Sequence, residues 1–413
     1  MKKPILFFLL AAPLLFVASC DSNSANDNPN PHPTIDCTEN PEACDLTLSN
    51  NTFGFKLFQE LQKEEADMNI FISPMSVATA LSMTVNGADG QTKADMMATL
   101  EQNGLTIEQA NAGFQQLLTL LPALDPAVQL QLANSIWYRQ GFPVRQEFLN
   151  VNQEFYDSEV AALDFAAPAA KDIINGWVKD NTNNLIESII SGEIEPDVVM
   201  YLINAIYFKG AWLHEFDPED TYTDNFRLED GSTTEVDMMN MGQTFFPYFA
   251  NETFQAIDLA YGDSVFSMSI LLPNPGHTVD EVIGQLNTDN WEQWTQSFEY
   301  SELFFSMPKF EMKYEKSLIK PLTNLGMGIA FGPGADFTNI ADAGLMIDEV
   351  LHKSFIEVNE EGTEAAAVTA VVIVETSVPL IPAFKADHPF VFIIRENQTN
   401  SVLFIGKMMN PNE

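Results

Sequence analysis

The side chains able to do chemistry are few and scattered. Five histidines (His32, His214, His277, His352, His388) and three cysteines (Cys20, Cys37, Cys44) are spread over 413 residues. Structural and catalytic metal sites need thiolates and imidazoles at short, fixed spacings. None of these histidines stands at such a spacing from a cysteine or another histidine, so no metal and no cofactor is expected. The nucleophile elbow, the phosphate-cradling glycine loop and the dinucleotide fingerprint are all missing. Gly262-Asp263-Ser264 has the residue types of a hydrolase nucleophile turn, but it lies between two strand-like runs with no supporting partner. Gly332-Pro333-Gly334 reads as a turn. Paired carboxylates, the mark of glycoside hydrolysis, carry no information in a chain with 58 Asp and Glu. The residues argue against an enzyme.

One segment does suggest a behaviour. Residues 360–377 open with acids and a glycine, pass through Ala365-Ala366-Ala367, and become the β-branched run Val368 to Val374 before Glu375-Thr376-Ser377. Val, Ile and Thr suit a pleated strand. With period two, one face carries Thr363, Ala365, Ala367, Thr369, Val371 and Ile373. That face is small at one end and apolar at the other, as a strand slipping between two others would require. The Pro-rich exit Val378-Pro379-Leu380-Ile381-Pro382 reads as an extended loop. The segment is strand-competent with conditional pairing, or an ordinary buried strand.

The elements around it change in type along the chain. Phe53, Leu57, Phe58 and Leu61 recur at helical spacing. Ser73-Pro74 supplies a cap and a first-turn proline for a helix through Met83, and Phe114, Leu117, Leu118 and Leu121 indicate another. Residues 128–138 alternate as a half-buried strand. Further strands are expected near 200–208, 265–272, 303–312, 354–359, 390–395 and 401–407. Helices early and strands later point to an α+β fold. From Leu46 no repeat or linker interrupts the chain, so residues 46–413 read as one domain.

The first residues read as an address. Lys2 and Lys3 precede an apolar run from Ile5 to Val17 that ends in Ala18-Ser19-Cys20, a leader spanning residues 1–19. Residues 20–45, rich in Asn, Pro, Ser and Asp, read as a disordered tether. The coil reach of its stretch from Asp21 to Asp36 is roughly 20–25 Å. Cys37 and Cys44 are disulfide candidates in an oxidising compartment, or two free thiols. Loss of Lys2 and Lys3 with the leader takes the formal charge from −39 to −41. Such a surface repels nucleic acid and heparin-like polyanions, and self-repulsion favours a monomer.

Several motifs together resemble the serpin family. They are Asn69-Ile70-Phe71-Ile72-Ser73-Pro74-Met75-Ser76, Asn204-Ala205-Ile206-Tyr207-Phe208-Lys209-Gly210-Ala211-Trp212, Met307-Pro308-Lys309-Phe310, the hinge-like Glu360-Glu361-Gly362-Thr363-Glu364-Ala365-Ala366-Ala367, and a C-terminal block from Phe384 to Ile394 that closes at Gly406-Lys407-Met408-Met409-Asn410-Pro411. The resemblance covers residues 46–413. It implies three β-sheets, eight or nine helices and an exposed reactive-centre loop. It also implies a suicide-substrate inhibitor of serine endopeptidases, with some cysteine proteases as further targets; the alternative is a non-inhibitory binding or chaperone-like module. Val17-Ala18-Ser19-Cys20 resembles a bacterial lipobox, which makes Cys20 the lipidated residue and the protein a membrane-anchored or secreted extracytoplasmic one.

By carry-over, Glu360, Glu361, Gly362, Thr363, Glu364, Ala365, Ala366, Ala367, Val368 and Thr369 form the hinge. Ser73, Ser76, Asn204 and His352 form the shutter, and Trp212 and Lys309 the breach, with Lys309 paired to Glu360. The family's usual spacing places the scissile bond at Thr376-Ser377, with Glu375-Thr376 as the one-residue alternative. No Lys or Arg lies between Ser354 and Phe384, so a trypsin-type pocket finds nothing to pair with. Thr376 suits the small or medium apolar pockets of elastase- or subtilisin-like proteases. Val368 is larger than the residue most inhibitory relatives carry there.

Overall fold

The computed structural model describes residues 34–363 and 382–413. Its β-structure falls into three sheets. The largest has nine strands and contains runs buried along their whole length, Phe266–Pro273, Phe390–Glu396 and Val402–Met408. Continuous apolar sequence is what a strand covered on both faces demands. Phe71 stacks between Phe392 and Phe404 at 5.7 and 5.2 Å, fixing one end of this core. A second sheet has four strands in the order Gly362–Thr363, Met200–Ala211, Val128–Arg139 and Glu159–Leu163. The third pairs Phe310–Ser317 with Leu351–Val358.

The helices start where the side chains can satisfy their first amides. Ser73 accepts from the Ser76 amide at the head of Pro74–Val85, and a Thr106/Gln109 capping box opens Ile107–Leu120. Helix Pro168–Asn181 lies over the four-stranded sheet on a small separate core of Trp137, Ile174, Val178, Ile190 and Ile203. Nine α-helices are present among the described residues, and with three sheets the α+β expectation holds.

Two expectations are corrected. The first helix spans Pro41–Glu64, so the domain boundary expected at Leu46 falls inside it. Ile35 is buried ahead of that helix, and its amide donates to Gln398 Oε1 at 3.1 Å, so the end of the expected tether is part of the fold. Second, the strand expected over 303–312 is two strands of different sheets, Glu299–Pro308 and Phe310–Ser317. Pro308 has no amide proton to continue a ladder, and the Lys309 amide turns to Asp237 O at 2.8 Å. Gly262-Asp263-Ser264 is the turn between Phe254–Tyr261 and Phe266–Pro273, in keeping with its place between two strand-like runs. Cys37 and Cys44 are joined as a disulfide with Cα atoms 5.7 Å apart.

Candidate functional site: the hinge and the strands beside it

Strand Leu351–Val358 ends in a tight turn. Asn359 and Gly362 bridge, the Asn359 amide donating to Gly362 O at 3.0 Å. Gly362 and Thr363 then pair antiparallel with Ala211 and Gly210. Only glycine fits at 362: its φ is +147°, and an added Cβ would stand 2.2 Å from Gly210 O. Thr363 points into the core, where its hydroxyl meets Tyr261 Oη at 2.8 Å. Burial pushes the Tyr261 phenol well above its ordinary range, so Tyr261 stays a neutral hydrogen-bonding partner.

The expected breach residues converge on this turn. The Trp212 indole donates to Asn359 O at 3.0 Å, its ring stacks on Tyr261 at 4.4 Å, and its amide donates to Glu361 O. Lys309 Nζ lies 2.8 Å from Glu360 Oε2, and the Thr221 hydroxyl donates to Glu360 Oε1 at 2.7 Å. Burial pushes the Glu360 carboxyl up, but the bonds from Lys309 and Thr221 outweigh it and hold the group below the ordinary glutamate value. With Lys309 substantially exposed, the pair is worth no more than about 1 kcal/mol. It sets where the turn sits. Tyr261, Thr221 and Phe216, whose amide donates to Glu360 O, were not legible as site residues, because each comes from a distant element with no motif around it.

Of the four expected shutter residues, three meet directly. The Ser73 amide donates to His352 Nε2 at 3.2 Å, and Ser73 Oγ caps the Ser76 amide. Asn204 instead donates to Asn134 Oδ1 at 2.8 Å, and Asn134 in turn to Tyr156 O. Asn134 was read only as part of an alternating strand. Among the described residues no group of three or more His, Cys, Asp or Glu is placed to hold a metal. The distal hinge (Glu364, Ala365, Ala366, Ala367, Val368, Thr369), the bond at Thr376-Ser377 with its alternative at Glu375, and Cys20 lie outside the described residues.

Burial lowers the His352 pKa from 6.5 to about 4. Its neutral ring is the acceptor for Ser73, so the folded state resists the proton that the unfolded chain takes up near 6.5. The contribution is intact above pH 6.5 and is lost as pH falls toward 4, by about 3 kcal/mol in all. Urea melts at pH 7 and pH 4.5 should show this loss in the parent chain, with His352→Gln removing that share of it. An unchanged pH slope in the variant would show that His352 is not its source.

Strands Met200–Ala211 and Leu351–Val358 are not paired with each other among the described residues. A cavity between them is lined by Ile206 and Phe208 from one, Phe355 and Ile356 from the other, and Thr363 and Phe404. The turn at 359–362 therefore sets Gly362 and Thr363 against the Ala211 end of Met200–Ala211, with Thr363 lining the cavity between the two strands.

A family model described as serpin (serine protease inhibitor) matches residues 48–411, and the chain belongs to the serpin family. It is 36% identical to the leukocyte elastase inhibitor of Sus scrofa, over 89% of this chain and 99% of that one. The crystal structure of a thermophilic serpin, tengpin, in the native state matches with TM-score 0.80 and 31% identity, over 92% of this chain and 96% of that one. Human thyroxine-binding globulin complexed with its hormone matches with TM-score 0.82 and 28% identity, over 90% and 100%. The family thus includes a protease inhibitor and a hormone carrier on one fold.

Proposed function

We propose that this chain is a suicide-substrate inhibitor of elastase- or subtilisin-like serine endopeptidases, held outside the cytoplasm of a bacterium by lipid on Cys20. The carrying observation is the antiparallel start of a strand at Gly362–Thr363. Continued residue for residue, that register sets Ala365 opposite Phe208, Thr369 opposite Asn204 and Ile373 opposite Met200, the first residue of its strand. Because Thr363 points inward, the inward row is Ala365, Ala367, Thr369, Val371 and Ile373. The small residues fall where Phe208 and Ile206 crowd the core side. Val368 falls on the other face, opposite Ala205, so its extra volume meets a small neighbour.

In this reading the protease serine attacks the Thr376 carbonyl carbon, the amine of Ser377 leaves, and an acyl ester forms. The freed strand then enters the sheet with the enzyme attached. Each added ladder bond contributes roughly 1 kcal/mol, and burial of Val371 and Ile373 roughly 1.5–3 kcal/mol each. A total on the order of 10 kcal/mol is enough to disturb an active site that depends on hydrogen-bond-scale geometry. Insertion must outrun hydrolysis of the ester. A carrier role like that of thyroxine-binding globulin is the competing reading, and the small residues Ala365, Ala366 and Ala367 favour the inhibitor. Incubation with pancreatic elastase and with subtilisin should give an adduct stable in SDS and a released peptide beginning at Ser377. A peptide beginning at Thr376 would move the bond by one residue, and cleavage without any adduct would contradict trapping.

A further inference from the structure

The outward face of the paired strands Thr233–Ala250 and Glu299–Pro308 is out of character for so acidic a chain. Tyr300, Glu302 and Phe304 stand opposite Pro247, Phe245 and Gln243, so all six side chains share one face. Of nine large hydrophobic side chains exposed among the described residues, Phe245, Tyr300 and Phe304 are three, and Tyr300 at 77% is the most exposed. Gln243 donates to Glu302 at the centre of the triangle. Three exposed aromatic rings gathered on one face of a strand pair mark a contact surface.

Its place identifies the partner. The Phe304 amide donates to Pro382 O at 3.0 Å, and Ala383 pairs with Phe304, so the chain leaving the bait segment joins the fold beside this patch. Extended-chain geometry keeps Ser377 within about 18 Å of Pro382 whatever its conformation. A protease domain of some 230 residues has a radius of about 22 Å. A protease holding the bond at Thr376-Ser377 is thus large enough and near enough for its own surface to reach these aromatics. The faces of Phe and Tyr beside Glu299 and Glu302 attract guanidinium and ammonium groups.

We propose that this face is a second docking surface for the target protease, fitted to one with apolar and basic side chains beside its active-site cleft. The proposal rests on the bait reading above, and the two can fail separately. The test is the second-order rate of SDS-stable complex formation with subtilisin and pancreatic elastase. Three chains are compared: the parent, the triple variant Phe245→Thr, Tyr300→Thr, Phe304→Thr, and the single variant Glu302→Lys. Against whichever protease the parent traps faster, the triple variant should be at least 10-fold slower at unchanged stoichiometry. Glu302→Lys should be several-fold slower, with the difference fading in molar salt. If the triple variant melts early, Glu302→Lys alone decides. Equal rates for all three chains, with trapping intact, would overturn the docking surface and leave the bait reading standing. A parent dimer that the triple variant dissociates without slowing would assign the face to a second copy. A parent that traps neither protease would defeat both readings.

Discussion

Thr363→Arg is expected to turn the proposed inhibitor into a substrate. Thr363 is buried, its hydroxyl is bonded to Tyr261, and its neighbour across the ladder is Gly210. Arginine there would bring an unpaired guanidinium into a wall formed by Tyr261 and Trp212, which stack on each other. A buried charge without a partner costs several kcal/mol. In the intact chain the hinge escapes that cost by leaving its place beside Gly210, and insertion must then return the charge to this wall, so insertion slows by orders of magnitude while attack on the bait is unaffected. Hydrolysis of the acyl ester then wins. The number of inhibitor molecules consumed per protease inactivated should rise more than 10-fold, with cleavage at an unchanged rate. Ala365→Pro should act alike, because proline removes an amide the ladder needs. Undiminished trapping by both variants would contradict the insertion account.

What the sequence made legible was local. Ser73-Pro74 marked a helix start because cap and proline sit in adjacent residues, and the helix does begin at Pro74. The face carrying Thr363 was legible because strand periodicity fixes direction once one residue is placed. Contacts across long sequence distances were not. Thr221 and Tyr261 reach the hinge from strands and turns more than a hundred residues away, and no local pattern encodes such a meeting. Asn204 was expected beside His352 but bonds Asn134, since two strands in register bring those amides opposite each other. The break at Lys309 was missed because residues 303–312 are apolar enough to read as one strand, although the inward row shifts from 303, 305 and 307 to 310 and 312 where Pro308 marks the change of sheet. The start of the domain was misplaced for a different reason. Polar residues around Cys37 read as tether, while the disulfide to Cys44 and the burial of Ile35 hold them to the fold.

The second large effect concerns the cut chain. Before cleavage, Met200–Ala211 meets the hinge only at Gly210 and Ala211 among the described residues. Strand insertion would extend that pairing to Met200 and give Leu351–Val358 a neighbour on its other side. The gain belongs to the cleaved chain alone, because the uncut segment is tethered at both ends, by Thr363 and by Ala383 beside Phe304. A gain on the order of 10 kcal/mol corresponds to a rise in melting temperature of roughly 10–15 °C for a domain of this size.

Calorimetry on the protein nicked once between Thr376 and Ser377, beside the intact protein in the same buffer, addresses the heart of the matter. An unfolding temperature higher by roughly 10–15 °C in the nicked sample is the predicted result. Coincident transitions in the two samples would mean that the severed peptide never joins the sheet, and the trap would have no driving force.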